Sequence, residues 1–149
     1  MGKTVGHHLD DKEQEEIIKG LSVLLEPERV LEVGCGFRRF KPYFKHYTGI
    51  DKKEGIYADS LPFTSGEFDL VFSCTVLMHN EKIKLILQEM ARTSSKWITL
   101  IEPYRKIKQC FLHEFIIKGF SLVLNLRLMT KRSPLALWIF KKGGNNDLV

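Results

Sequence analysis

The sequence predicts an α/β domain: a three-layer α/β/α sandwich whose mostly parallel, seven-stranded sheet ends in an antiparallel hairpin. Three observations carry this. Strand-like and helix-like segments alternate from Glu13 to Lys118, the pattern that builds a parallel sheet covered on both faces. Phe68 to Ser73 is a largely apolar run of strand length, as expected where both faces of a strand are buried. Two runs with a period of two, Ser121 to Met129 and Leu135 to Phe140, flank a short basic turn containing Lys131, Arg132 and Pro134, which reads as a hairpin.

The elements follow in order. Glu13 to Leu25 places Ile17, Ile18, Leu21, Leu24 and Leu25 on one helical face, and Pro27 stops it. Arg29 to Val33 is a short strand running into Gly34-Cys35-Gly36. A compact helix to about Tyr43 is expected next, then a second strand, Tyr47 to Ile50, ending at Asp51, and a very short third, Gly55 to Ala58. Pro62, Ser65 and Gly66 punctuate the loop before the fourth strand, Phe68 to Ser73. Glu81 to Ala91 is an amphipathic helix with Ile83, Ile86, Leu87 and Met90 inward, Trp97 to Ile101 a fifth strand, and Ile107 to Lys118 a helix stopped by Gly119. Phe111, Phe115, Phe120 and Trp138 are expected in the core.

The chain has 149 residues, 44% of them hydrophobic, enough for one core and no second domain. Residues 1–142 are expected to form that domain, with residues 1–12 a flexible N-terminus and 143–149 a disordered tail. Lys118, Asn125 and Arg127 interrupt the greasiest region, so no stretch reaches the roughly 18 apolar residues of a membrane helix. Met1 to Gln14 carries histidines and acids where a signal peptide needs an apolar run, and a cytoplasmic protein with no membrane insertion is expected. Cys35, Cys74 and Cys110 are odd in number and widely spaced, which suits neither a disulfide framework nor a zinc site. His7 and His8 beside Asp10 and Asp11 are read as ordinary polar terminus, with no metal expected. The formal charge of +5, concentrated at Arg38, Arg39, Lys41, Lys45, Lys52 and Lys53 and again near the hairpin, favours an anionic partner without choosing among nucleic acid, metabolite and membrane surface.

In an open parallel sheet the ligand lies beyond the carboxyl ends of the strands. Gly34 and Gly36 follow the first strand, where missing side chains allow a tight turn and a close backbone approach. Asp51 ends the second, where a carboxylate can accept two hydrogen bonds from a ribose diol. Asp59 follows the third and Ser73 to Thr75 the fourth. A dinucleotide fingerprint would need a further glycine where Arg39 stands, and no Gly-Lys-Ser/Thr marks a P-loop.

Val30-Leu31-Glu32-Val33-Gly34-Cys35-Gly36 resembles the first motif of class I S-adenosylmethionine-dependent methyltransferases, an acid-x-Gly-x-Gly after the first strand. Gly49-Ile50-Asp51, Leu61-Pro62-Phe63, Glu67 to Val71, Val76-Leu77-Met78-His79 and Gly119-Phe120 resemble later segments of that family in the same order. The likeness spans about Glu28 to Lys142 and is nearest to the ubiquinone and menaquinone biosynthesis subgroup. It implies a Rossmann-like fold and S-adenosylmethionine as cofactor. Glu32 and the Gly34, Cys35 and Gly36 backbone would hold the methionine part, Asp51 the ribose and Lys52 the adenine side, with Ser73 and Cys74 completing the cofactor site. The adenine-recognising acid would be Asp59, although the commonest spacing puts it where Tyr57 stands. Two departures are visible: Arg38 replaces the family's third glycine, and the link after Asp51 is too short for the usual helix.

The implied chemistry is in-line methyl displacement, for which alignment matters more than a base. His79 is the candidate base for a hydroxyl or acidic-carbon acceptor; Glu102 and Tyr104 could bind acceptor or cap a strand, and Asp69 is a structural acid at a strand entry. A small-molecule acceptor is expected first, RNA or a protein side chain second; Ser73-Cys74-Thr75-Val76 stands where amino-directed nucleic-acid methyltransferases carry an Asn-Pro-Pro-Tyr-type loop. The alternative is a non-catalytic or partner-dependent module that binds nucleic acid or protein through its basic surface. Oligomeric state is not expressed in the sequence.

Overall fold

The computed structural model describes residues 8–103, 115–128 and 134–143, with the backbone alone for residues 8–11 and 79. Helix α1 (His8–Leu25) precedes β1 (Arg29–Val33), β2 (His46–Ile50) and β3 (Phe68–Cys74); α2 (Ile83–Thr93) leads into β4 (Ser94–Pro103), and β5 (Phe120–Leu128) and β6 (Leu135–Lys142) close the described chain. The sheet order is β2-β1-β3-β4-β6-β5. The first four strands are mutually parallel, and β6 runs antiparallel to both β4 and β5.

Strand alternation sorts the core into two layers. Val30, Leu70, Phe72, Ile101, Leu135, Leu137 and Ile139 bury one face against Ile18 and Leu21 of α1. Leu31, Val33, Val71, Ile98, Leu100, Ala136, Trp138 and Phe140 bury the other against Ile86, Leu87 and Met90 of α2. The expected three layers and terminal hairpin are therefore present, as is the core position of Phe120 and Trp138. Phe115 meets the Trp138 ring edge-on at 4.8 Å. Among the described residues no helix is long and apolar enough to cross a membrane.

Three expectations are corrected. The described sheet has six strands, not seven, because Gly55 to Ala58 forms none. Asp51 accepts the Lys53 N–H and starts a single 3-10 turn, Lys52–Glu54, which Gly55 ends at a φ of 77°. A parallel neighbour to β2 needs a crossover of about a dozen residues, and the chain has already turned back by Ser60, whose N–H bonds Tyr57. Nor does a helix follow β1: residues 37–40 are turns before a 3-10 turn at Lys41–Tyr43, since Gly36 and Arg38 take positive φ and Pro42 brings no N–H. Residues 115–117 have no regular structure where the helix to Lys118 was expected.

Two helices also differ at their ends. Helix α1 starts five residues before Glu13, and α2 lies two residues later than its periodicity placed it. The rest of the Ile107 helix with Tyr104 and Cys110, the turn at 131–133, residues 1–7 and the tail from 144 lie outside the described residues; Gly143 still bonds the Gly119 carbonyl. In β5 the alternation is broken by a register shift between Leu122 and Leu124. Leu124 and Leu128 pack inward, while Leu122 and Leu126 are exposed on the outermost strand.

Long-range polar contacts set strand positions. The Asp69 carboxylate accepts the N–H groups of Glu28 and Arg29 at 2.8 and 2.7 Å, locking the start of β1 to that of β3 as a strand-entry acid should. Glu89 of α2 accepts the Leu61 N–H at 2.8 Å, and Arg92 donates to the Leu61 and Phe63 carbonyls, so Leu61-Pro62-Phe63 is clamped to α2. The Glu89–Arg92 pair, one helical turn apart at 2.9 Å, holds that clamp together.

Candidate cofactor cleft

The loops after β1, β2 and β3 meet at the carboxyl edge of the sheet. After β1, Gly34 and Cys35 both donate N–H bonds to the Ile50 carbonyl, at 2.8 and 3.0 Å. Gly34 sits at a φ of 75°, and a Cβ there would come within 2.4 Å of Val76 Cγ2. Glycine is thus required twice, by conformation and by the closeness of the loop after β3. Gly36 is also left-handed, but space around it is open. Arg38, in the slot of the missing third glycine, keeps a φ of 58°; its guanidinium bonds the Gly49 carbonyl and pairs with Glu54.

Asp51 joins two loops. One carboxylate oxygen accepts the Gly36 N–H and the other the Lys53 N–H, both at 3.0 Å. These bonds, the Lys53 one first, hold its pKa below the usual carboxylate value. Each oxygen retains a lone pair.

The loop after β3 is held from β4. Thr75 adopts a φ of 56°, costly for a β-branched residue by roughly 1–3 kcal/mol. The next three N–H groups, of Val76, Leu77 and Met78, all point to the Glu102 carboxylate at 3.2, 2.9 and 3.3 Å. Glu102 is only 5% exposed, and burial pushes its pKa up to about 7 against the pull of those three bonds. The Thr75 N–H is fixed to the Ile101 carbonyl. A strained residue held between a strand carbonyl and a buried carboxylate is an over-determined turn of the kind that shapes binding sites.

Between these loops lies a cleft of about 480 Å³, lined by Gly34, Ile50, Asp51, Lys52, Ile56 to Asp59, Thr75, Val76, Asn80 to Lys82 and Ile86. It brings together Gly34, Asp51, Lys52 and Asp59 from the sequence-derived set, and Tyr57 beside Asp59. Asp59 pairs with Lys82 at 3.2 Å. His79 ends the 3-10 turn Leu77–His79, one residue before Asn80.

The other candidates stand behind the cleft rather than on its lining. Cys35 and Cys74 are buried and in no disulfide among the described residues, and burial raises the Cys35 pKa. Ser73 is wholly buried, its hydroxyl without a hydrogen-bond partner among the described residues. Glu32 is 2% exposed and bonded by the Tyr47 hydroxyl. Burial drives its pKa up to about 8, despite that bond and the nearby Arg39 and Arg38. Burial, then Glu32, raises Tyr47 in turn.

Sequence reasoning passed over Ile56, Val76, Asn80 and Lys82, and placed Glu102 at the acceptor or as a strand cap. An acid ending an apolar strand was the available signal for Glu102; its partners lie 24 to 26 residues away.

Residues 31–96 match a family model described as a methyltransferase domain. No curated protein matches the chain. Among solved structures, the magnesium protoporphyrin IX methyltransferase of Synechocystis PCC 6803 with bound S-adenosylmethionine superposes with a TM-score of 0.69 at 13% identity, over 95% of this chain and 87% of that one. A methyltransferase-like protein of Bacillus halodurans C-125 gives 0.66 at 11% identity, over 89% and 100%. The [4+2]-cyclase SpnF gives 0.65 at 12%, over 87% and 80%. The sheet order and its reversed β6 thus belong to a known fold, and the cyclase illustrates that the fold alone does not select a reaction.

Two outcomes follow from the buried carboxyls. Glu102→Ala leaves three N–H groups without their acceptor and should lower unfolding free energy by about 2 kcal/mol in denaturant titrations. Glu102→Gln, whose amide oxygen can still accept Val76 and Leu77, should lose less than half of that. A carboxyl whose pKa is raised in the fold stabilises it while protonated, so its contribution is whole below the ordinary value of 4.5 and is lost as pH rises to about 8 for Glu32. Stability should therefore fall with pH across that window, and Glu32→Gln should flatten the fall above pH 7; parallel curves for the two proteins would contradict it.

Proposed function

We propose that this chain, whose residues 31–96 match a methyltransferase-domain model and whose fold is that of an S-adenosylmethionine-bound methyltransferase, binds S-adenosylmethionine in the cleft and transfers the methyl group to an acceptor. The observation that carries this reading is the convergence of Gly34, from the loop after β1, and Asp51, Lys52 and Asp59, from the loop after β2, on one cleft of about 480 Å³, within the size range of small-molecule sites. The donor set fits the cofactor. Asp51 keeps lone pairs for a ribose diol, Ile56, Ala58 and Ile86 provide apolar walls for a flat ring, and Asp59 can accept from an exocyclic amine. Lys52 lies beside them, and the open backbone at Gly36 suits the methionine end.

The bound cofactor would supply an already activated sulfonium methyl. The protein's work is then alignment and exclusion of water. Glu102 sets the height of Val76 over Gly34, and Asp51 ties the Gly36 turn to the start of residues 52–59, so both walls of the cleft are fixed before ligand arrives. Cys35, Ser73 and Cys74 support the strand ends from behind. Glu32, with Tyr47, braces β1 against β2 beneath the glycine turn. His79, at the end of the turn that Glu102 holds, is the proposed base for an acceptor that must lose a proton. A small molecule is the proposed acceptor.

A second reading keeps the cleft without turnover and assigns the protein to binding nucleic acid or another protein. The cationic side chains around β2 favour it, and it predicts cofactor binding with no methyl transfer.

Calorimetric titration of the full chain with S-adenosylmethionine and S-adenosylhomocysteine, with a nicotinamide dinucleotide as control, tests the cofactor assignment. Micromolar binding of both sulfur ligands is expected, at least tenfold weaker in Asp51→Asn. Failure of both to bind, or binding indifferent to Asp51, would remove the reading.

A further inference from the structure

A second groove shares no lining residue with the cofactor cleft. It measures about 980 Å³ and takes in the first half of β2 together with Arg29 and Phe68, the first residues of β1 and β3. It is lined by Arg29, Arg38, Lys41, Lys45 and His46 together with Phe44 and Tyr47, and among the described residues no acidic side chain lines it. Phe44 and Tyr47 lie nearly parallel, 14° apart with centroids at 6.4 Å. Phe37 stands at one end, 92% exposed, with the Lys53 ammonium 5.5 Å from its ring centre.

Arg29 and Arg38 lean on Glu67 and Glu54, but Lys41 and Lys45 form no ion pair among the described residues. The groove exists because the link after Asp51 is too short to lay another strand on β2, which pairs only with β1 among the described residues. Five residues of strand give it a length of about 16 Å at the usual rise.

We propose that this groove binds single-stranded nucleic acid, with the sugar–phosphate backbone between Lys41, Lys45 and Arg38 and a base stacked on Phe37. A cationic groove with an exposed aromatic ring at its end is the arrangement that holds unpaired strands without reading sequence. A duplex offers no unstacked base to Phe37, and a concave slot does not fit a membrane surface. An acidic peptide would use the lysines but leave the ring idle. The site is independent of the cofactor assignment, since none of its residues lines the cleft.

Lysines at an open strand edge also deter edge-to-edge association, so the test must separate that role from binding. Reversal to glutamate keeps the edge charged while removing the attraction. Fluorescence anisotropy with a labelled single-stranded RNA of about fifteen nucleotides, run on the full chain across a salt series, should show salt-sensitive binding. The double variant Lys41→Glu, Lys45→Glu should weaken it at least tenfold and reduce the log–log salt slope by about 1.4, the value for two phosphates. Phe37→Ala should weaken the strand about tenfold and leave heparin binding unchanged. The Lys41→Glu, Lys45→Glu variant should bind S-adenosylhomocysteine like the parent, so failure of the cofactor reading and failure of this one are told apart. The proposal is overturned if the parent does not bind the strand, if charge reversal leaves binding intact, if the matching duplex or polyglutamate binds equally well, or if Phe37→Ala has no effect.

Discussion

The loop after β3 depends on a single carboxylate. Three consecutive backbone N–H groups converge on Glu102, which is withdrawn from water at the end of β4. Thr75 could not keep its left-handed backbone unless the chain on both sides were fixed, and the Ile101 carbonyl and Glu102 fix it. The turn so formed sets Val76 against Gly34, and at that contact only a glycine leaves room. The cleft therefore has a wall placed by a residue that is not on its lining. A raised Glu102 pKa, near 7, records what burial of that charge costs and how far three hydrogen bonds offset it.

Economy of chain shapes the other wall. Between Ile50 and Leu61 there is room for one 3-10 turn and one reverse turn, and the same residues carry Asp51, Lys52 and Asp59 to the cleft. Asp51 does two tasks there, capping the turn and pinning Gly36. The short link leaves β2 as the outer strand, and the groove beside it is lined by Arg29, Arg38, Lys41 and Lys45. One deletion-like feature thus defines the adenine side of the proposed cofactor site and opens the second groove.

The fold class was legible because it rests on local signals: alternating segments, inward faces such as Ile86, Leu87 and Met90, and a terminal hairpin with its basic turn. Glycines and acids directly after strands were legible as site residues for the same reason, and the structure gathers Gly34, Asp51, Lys52 and Asp59. What was not legible depends on distance in space or on arithmetic of length. Gly55 to Ala58 has strand-like composition, yet no crossover of that length can return it beside β2. The compact helix after Gly36 yields to positive φ at Gly36 and Arg38. Glu32 resembles a cofactor ligand by motif, whereas its contact with Tyr47, fifteen positions on, follows from β1 and β2 lying side by side in register. Glu102 meets its partners only once β3 and β4 are paired.

Amide hydrogen exchange, measured with and without S-adenosylhomocysteine, tests most directly the claim that a turn held by Glu102 frames a cofactor cleft. Val76, Leu77 and Met78 should exchange slowly in the ligand-free protein, and added ligand should slow exchange chiefly at residues 34–36, 51–59 and 75–82. Rapid exchange at the three amides before ligand is added, or no ligand-dependent change in those segments, would contradict it.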